Sequence, residues 1–164
     1  MKTLLVLVSY HHRNTEKIAK MMAAVLDASI KTAGQINTEE LGGYDLIGFG
    51  SGIYSSRHDQ SIFDLVDKLP RVNRRQSFVF STCGAPAVVA GEEFKRYVEK
   101  NHAPLIEKLQ DKGYVVIAGF GCRGLNTNSF LKYFGGLNKG RPNSEDLQQA
   151  EEFAQNLKLK FPGS

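Results

Sequence analysis

Cysteine and long apolar runs are both scarce in this sequence of 164 residues. Its two cysteines, Cys83 and Cys122, are too few for a disulfide scaffold or for a metal cluster held by four thiolates. The apolar run at residues 4–8 has five residues, which is too short for the core of a signal peptide or for a membrane span. We therefore expect a cytoplasmic protein without membrane insertion.

An excess of charge of one sign is also missing. Lysine and arginine number 21 and aspartate and glutamate 17, which gives a formal net charge of +4. The cations are scattered apart from Arg71, Arg74 and Arg75, and such a small group is more typical of a solvated loop than of a nucleic-acid site. We expect no nucleic-acid partner, and the length predicts a single domain over residues 1–164.

Short apolar runs alternate with helical patterns along the chain. Runs at 2–8, 46–49, 78–80 and 114–120 are typical of strands buried on both faces of a parallel sheet, and 28–32 is a weaker fifth candidate at an edge. Apolar residues at helical spacing predict helices at 15–26, 61–69 and 92–112, and another that begins at Asn143 or Ser144. Pro104 predicts a kink in the third helix or two short helices in its place.

This alternation predicts a three-layer, doubly wound α/β fold with a mostly parallel five-stranded sheet. Ligands of such sheets bind at the carboxyl ends of the strands, where helix N-termini also point. The segments that follow the predicted strands are residues 9–14, 50–60, 81–91 and 121–129. We therefore expect the functional site to be built from these four loops.

The first loop suits a phosphate group. Hydroxyl, amide, imidazole and guanidinium groups stand where a helix begins, and such groups bind anions at helix N-termini; they belong to Ser9, His11, His12, Arg13, Asn14 and Thr15. The alternative is that Asn14 or Thr15 simply caps the helix. The lysine pattern of nucleoside triphosphate loops is absent.

The next two loops suit a flat ring. Gly52 lets the backbone approach a ligand closely, and Ile53 and Tyr54 can form an apolar wall. Small residues follow the fourth strand and leave room beside a ring: Ser81, Thr82, Cys83 and Gly84. Together the loops predict a slot with a phosphate site at one end. Cys83 and Cys122 could both face this slot, either as buried small side chains or as a redox pair.

The sequence resembles the flavodoxin-like family over nearly its full length. The resemblance lies in residues 9–15 with Ala19, in the segment YDLIGFGSGIY at 44–54, in STCG at 81–84 and in GGLNKGRP at 135–142. It implies the strand order 2-1-3-4-5 and FMN at the switch between strands one and three, a rule of which flavodoxin is the usual example. Neither a catalytic nor a metal-binding residue is implied.

The resemblance also implies roles for particular residues. The phosphate loop contains Ser9, His11, His12, Asn14 and Thr15. Two loops contact the flavin ring, one with Ser51, Gly52, Ile53 and Tyr54, the other with Ser81, Thr82, Cys83 and Gly84. This chain departs from the family pattern in the first loop, because His12 replaces a small residue and Thr15 lies one residue further on.

Two functions follow from the resemblance. The first is one-electron transfer between a redox protein donor and an acceptor, with FMN cycling through a flavin semiquinone. The alternative is a flavin-dependent oxidoreductase, such as a quinone reductase or a protoporphyrinogen oxidase of flavodoxin type. The long segment at 121–134, which could form one wall of a substrate pocket, and the basic charge favour the alternative.

Overall fold

A computed structural model describes residues 1–10 and 12–161. Its strands are β1 (Thr3–Val8), β2 (Ser29–Thr32), β3 (Leu46–Tyr54), β4 (Arg57–His58), β5 (Arg75–Cys83) and β6 (Tyr114–Arg123). Its α-helices are α1 (Asn14–Leu26), α2 (Gln60–Lys68), α3 (Gly91–Asp111) and α4 (Ser144–Lys160), and 3₁₀ turns span Ala33–Gln35, Thr38–Gly43 and Ser129–Phe134. In the described residues, none of the helices is long and apolar enough to cross a membrane.

Five strands form a parallel sheet in the order β2-β1-β3-β5-β6. Since β5 and β6 are the fourth and fifth predicted strands, the predicted order is confirmed, as is the α/β fold. The short strand β4 was not predicted. It pairs antiparallel with the end of β3, and two residues are too few to leave a periodic signal in the sequence.

Helices cover both faces of the sheet. On β1, Leu4 and Val6 belong to the core cluster beneath α2 and α3, and Leu5 and Leu7 belong to the one beneath α1 and α4. All four side chains are buried, since successive residues of a strand point to opposite faces. The continuous apolar runs of the sequence therefore reflect burial on both sides.

Three strands extend beyond their predicted ends at residues 49, 80 and 120. The prediction was wrong there because glycines and small polar residues resemble loops. The glycines of β3 are instead required by close packing: a Cβ atom on Gly50 would lie 2.2 Å from the Phe80 ring, and one on Gly48 would lie 2.5 Å from the Phe78 ring. The phenylalanines of β5 occupy the space that β3 leaves empty.

Helix α3 continues across Pro104 as one helix of 21 residues. Of the two outcomes predicted from Pro104, a kink or a division into two short helices, the division is therefore wrong. Proline removes one amide donor from the helix, but Leu105 and Leu109 beyond it are completely buried in the core. Packing of the second half against the sheet offsets the lost hydrogen bond.

Candidate functional site

A cleft opens at the carboxyl edge of the sheet, where the segments after β1, β3, β5 and β6 meet. Predicted site residues line much of it: Ser9, Asn14, Thr15, Gly52, Ile53, Tyr54, Thr82, Cys83 and Gly84. The remaining lining residues are Gly124, Leu125, Asn126, Thr127 and Asn128. The sequence assigned this last segment to a site loop but singled out none of its residues, because asparagine and threonine after a strand equally indicate an ordinary turn.

Two side chains at the start of α1 form hydrogen bonds to other segments that line the cleft. Asn14 Nδ2 donates a hydrogen bond to the Leu125 carbonyl (2.9 Å), and Thr15 Oγ1 lies 2.8 Å from Thr82 Oγ1. Asn14 Oδ1 is buried and has no hydrogen-bond partner within the described part of the chain. This orphaned acceptor lies beside the cleft, where a ligand hydroxyl could donate to it.

The N-terminus of α1 lacks a side-chain cap. Its N-cap residue, Arg13, has a left-handed φ of 53° and makes no capping hydrogen bond; His12 before it has a φ of 55°. The first amides of the 13-residue helix α1 are therefore available to an anion, and the helix dipole favours negative charge there. The alternative that Asn14 or Thr15 caps the helix is not what the structure shows.

The side chains of Arg13 and His12 each contact another group of the protein. The Arg13 guanidinium bonds the Glu16 carboxylate (2.5 and 2.6 Å), and its side chain is 70% exposed. This pairing raises the pKa of Arg13 and lowers that of Glu16, chiefly through the hydrogen bond. His12 Nε2 lies 2.7 Å from Thr127 Oγ1, which connects the first loop to the segment after β6, whereas His11 lies outside the described residues.

Two glycines let the walls of the cleft approach each other. A Cβ atom on Gly84 would lie 2.4 Å from Asn126 Nδ2, and one on Gly124 would lie 2.6 Å from Asn14 Nδ2. Asn138 Nδ2 donates to the Ala85 carbonyl (3.0 Å) and so ties the segment before α4 to the loop after β5. The wall of the cleft around Gly84 is therefore formed by backbone and small side chains, which suits contact with a flat ring.

Ser51 and Ser81 do not line the cleft with their side chains. Both hydroxyls are buried within the fold, where Ser51 Oγ lies 2.8 Å from His58 Nδ1 and Ser81 Oγ lies 2.8 Å from His102 Nε2. Because side chains alternate along a strand, the Thr82 side chain projects to the other face of the sheet, and Gly52 has no side chain. These two serines flank the cleft residues but have partners of their own.

The two cysteines do not face one slot. Cys122 pairs in register with Thr82, and Cys83 with Arg123, so the two thiols point to opposite faces of the sheet. Cys83 lines the cleft and Cys122 packs in the core beneath α1 and α4. Both are free thiols, and burial raises the pKa of each, that of Cys122 well above its usual value. The interpretation that both cysteines face one slot is therefore wrong, and of the two alternatives the structure shows buried small side chains rather than a redox pair in the cleft.

His58 of β4 and His102 of α3 form a buried pair. Their ring centroids are 5.0 Å apart, and the residues are 1% and 2% exposed. Burial lowers the pKa of His102 to about 4; burial, and then the neighbouring His102, lower the pKa of His58 well below its usual value. Both imidazoles are therefore neutral at neutral pH.

Because of these buried histidines, we expect the free energy of unfolding to depend on pH. Between the unfolded pKa near 6.5 and the folded value near 4, only the unfolded chain takes up a proton at His102, so stability present above pH 6.5 is lost as the pH falls. The free energy of unfolding should decrease by roughly 3 kcal/mol over this interval for His102 alone. Urea unfolding at several pH values measures it. His102→Gln should flatten the slope, and an equal slope in that variant would contradict the prediction.

Comparisons with known proteins agree with this architecture. A family model described as a flavodoxin domain matches residues 5–120. The uncharacterized protein MJ0298 of Methanocaldococcus jannaschii is 41% identical over 157 residues, which are 96% of this chain and 98% of that protein. Oxidised flavodoxin 2 from Bacillus cereus superposes with a TM-score of 0.68 at 22% identity, over 98% of this chain and 100% of that one. A flavodoxin from the domain Archaea gives 0.67 at 15% identity, over 99% and 100%.

Proposed function

This chain belongs to the flavodoxin family, and on that premise we propose that it binds FMN in the cleft and transfers single electrons between redox proteins. The fold of this family implies a flavin. When bound, the flavin ring would supply the redox chemistry, while the residues that line the cleft would supply position and hydrogen bonds. No residue of the chain is required as a catalytic acid or nucleophile.

The phosphate end of the ligand fits the N-terminus of α1. The uncapped amides of that helix and the hydroxyls of Ser9 and Thr15 are hydrogen-bond donors at its positive end. Asn14 Oδ1, which lacks a donor in the described part of the chain, suits a hydroxyl of the ribityl chain. His12 stands at the rim with Thr127, and no carboxylate is among the described residues that line the cleft.

The ring end fits the tips of β3 and β5. Ile53 and Tyr54 provide apolar surface on one side, and Thr82, Cys83 and Gly84 provide small groups on the other. The observation that supports the proposal most is the junction of these two ends in one cleft. An uncapped helix N-terminus and a wall of glycines and small residues meet there, as a flat ring with a phosphorylated tail requires.

A titration with FMN tests this function. We expect the purified chain to bind one FMN per molecule with a dissociation constant of roughly 1 μM or less, and to be yellow when loaded. Stepwise reduction should then pass through a species with semiquinone absorption. A chain that remains colourless and does not bind added FMN would exclude the function. Riboflavin is the matched control, since it retains the ring and lacks the phosphate.

A second candidate is a flavin-dependent oxidoreductase that acts on a quinone or a porphyrinogen. The segment from Gly124 to Asn128 favours it, because it lines the cleft opposite the first loop and could border a substrate. Steady turnover of such an acceptor by the FMN-loaded protein would favour this function over electron transfer to a protein. Partner proteins and a cytoplasmic location remain predictions from the sequence.

A further inference from the structure

The sheet ends in a free edge at β6. This strand pairs with β5 on one side, and no described strand pairs with it on the other. Natural edge strands are commonly protected by charged side chains, proline or bulges. Residues 115–122 include neither a charged residue nor proline, and the described strand has only a register shift beside the segment from Ser77 to Val79. The backbone of β6 is therefore available to a further strand.

A cavity of about 550 Å³ lies beside this edge. One wall is the middle of β6, where Gly119 and Gly121 have no side chains and Gly119 is exposed. The facing wall is the side of α3, whose apolar residues there are Phe94, Val98, Ala103 and Ile106. None of the described residues that line this cavity also lines the cleft. The cavity is thus a separate surface, and what is inferred from it does not rest on the binding of FMN.

Contacts at two glycines show how α3 lies along β6. A Cβ atom on Gly119 would lie 3.0 Å from His102 Nδ1, and one on Gly121 would lie 2.6 Å from Val98 Cγ1. The numbering rises along β6 where it falls along α3, so the two elements are antiparallel. Four helical residues span about 6 Å and two strand residues about 7 Å. The part of α3 around His102 therefore lies level with Gly119.

The side chains of α3 at the cavity are arranged symmetrically about Asn101. Lys95 lies six residues before Asn101 and Glu107 six residues after it, and both line the cavity. Both are exposed, and neither forms an ion pair with a described residue. Two further lining residues, Glu99 and Ala103, lie two residues before and two after Asn101. Opposite charges thus stand at equal distances from the centre of this wall.

We propose that this face is the interface of a two-fold symmetric dimer, in which β6 pairs antiparallel with β6 of a second copy of the chain. A two-fold axis normal to the sheet near Gly119 places the two α3 helices side by side in opposite directions. Lys95 of each copy then meets Glu107 of the other, and Glu99 meets the small side chain of Ala103 instead of a second charge. A two-fold interface requires such a self-complementary surface. An extended peptide of another protein would use the edge but would not require this symmetry.

Sedimentation velocity of the full chain tests the dimer directly. We expect the sedimentation coefficient to rise with protein concentration toward that of a dimer, with a dissociation constant of roughly 10 μM. The amides of β6 that point away from β5 should exchange their hydrogens more slowly in the dimer. A chain that remains monomeric up to about 500 μM overturns the proposal, and the edge is then left to a peptide of another protein.

Charge reversal tests the position of the two-fold axis. Lys95→Glu places two glutamates at each charged contact, and Glu107→Lys places two lysines there, so each variant alone should dimerise about tenfold more weakly. An equimolar mixture of the two variants should form a mixed dimer about as tightly as the original chain, because both contacts again join opposite charges. Lys100→Glu is the matched control, since Lys100 is exposed on α3 but does not line the cavity; its dissociation constant should stay within about twofold.

A test that does not depend on charge uses Ala103, which is exposed near the centre of the interface. Ala103→Trp should make the chain monomeric, because the indole occupies the space that α3 of the second copy needs. Dimers of unchanged strength in Ala103→Trp and in both charge variants would overturn the proposal, since the chain would then associate through another surface. Weakened single variants whose mixture fails to recover would also overturn it, because the contacts would not be reciprocal. Circular dichroism establishes that each variant is folded.

Discussion

Replacing Ser9 by aspartate is expected to weaken the binding of FMN about 100-fold, while riboflavin affinity changes little. Ser9 lines the cleft next to the N-terminus of α1, where the phosphate is proposed to bind. A carboxylate there repels a group that itself has up to two negative charges. At an effective dielectric constant of about 20, two unit charges 4 Å apart repel by roughly 4 kcal/mol, part of which solvent screens.

The comparison of the two ligands separates charge from shape. Riboflavin has the same ring but no phosphate, so an equal loss for both ligands would contradict the placement of the phosphate. Ser29→Asp is the matched control, because Ser29 is exposed at the start of β2, at the opposite edge of the sheet. It makes the same chemical change and should leave both affinities unaltered. Fluorescence titration of either ligand measures the constants.

Replacing Gly113 by alanine is expected to reduce the free energy of unfolding by roughly 3–4 kcal/mol. Gly113 has a φ of 90°, and a Cβ atom on it would lie 1.8 Å from the Val72 carbonyl oxygen. The segments cannot separate easily, since the Val72 amide donates to the Lys112 carbonyl (2.8 Å) and the Gly113 amide to the Gln110 carbonyl (2.8 Å). The new methyl group therefore displaces backbone rather than a side chain.

A comparison with Gly91→Ala separates the cost of the steric clash from the cost of a side chain on a left-handed backbone. Gly91 has a φ of 57°, and a Cβ atom on it would meet no other part of the described chain within 4 Å, so alanine there should cost only about 1 kcal/mol. Urea unfolding of both variants gives the two values. Equal losses would show that the contact with Val72 adds nothing and would contradict the prediction.

The candidate site was predictable in part because its position follows from topology. Once strands and helices alternate, the carboxyl ends of the parallel strands must share one edge, and Ser9, Gly52 and Gly84 are placed there by their position in the sequence. The direction of each side chain was not predictable. Ser51 and Ser81 follow the same motifs but turn toward His58 and His102, since the strands continue further than their apolar runs.

Hydrophobic periodicity predicts the order of the helices and longer strands, the parallel sheet and the loops that form the cleft, because it is a local property of the chain. Which side chains and backbone groups meet is visible only in the folded protein. The contact of Asn14 with Leu125 spans 111 residues, and the extent of β3 depends on phenylalanine rings from β5. Contacts between distant segments depend on register and packing, which no local pattern of residues specifies.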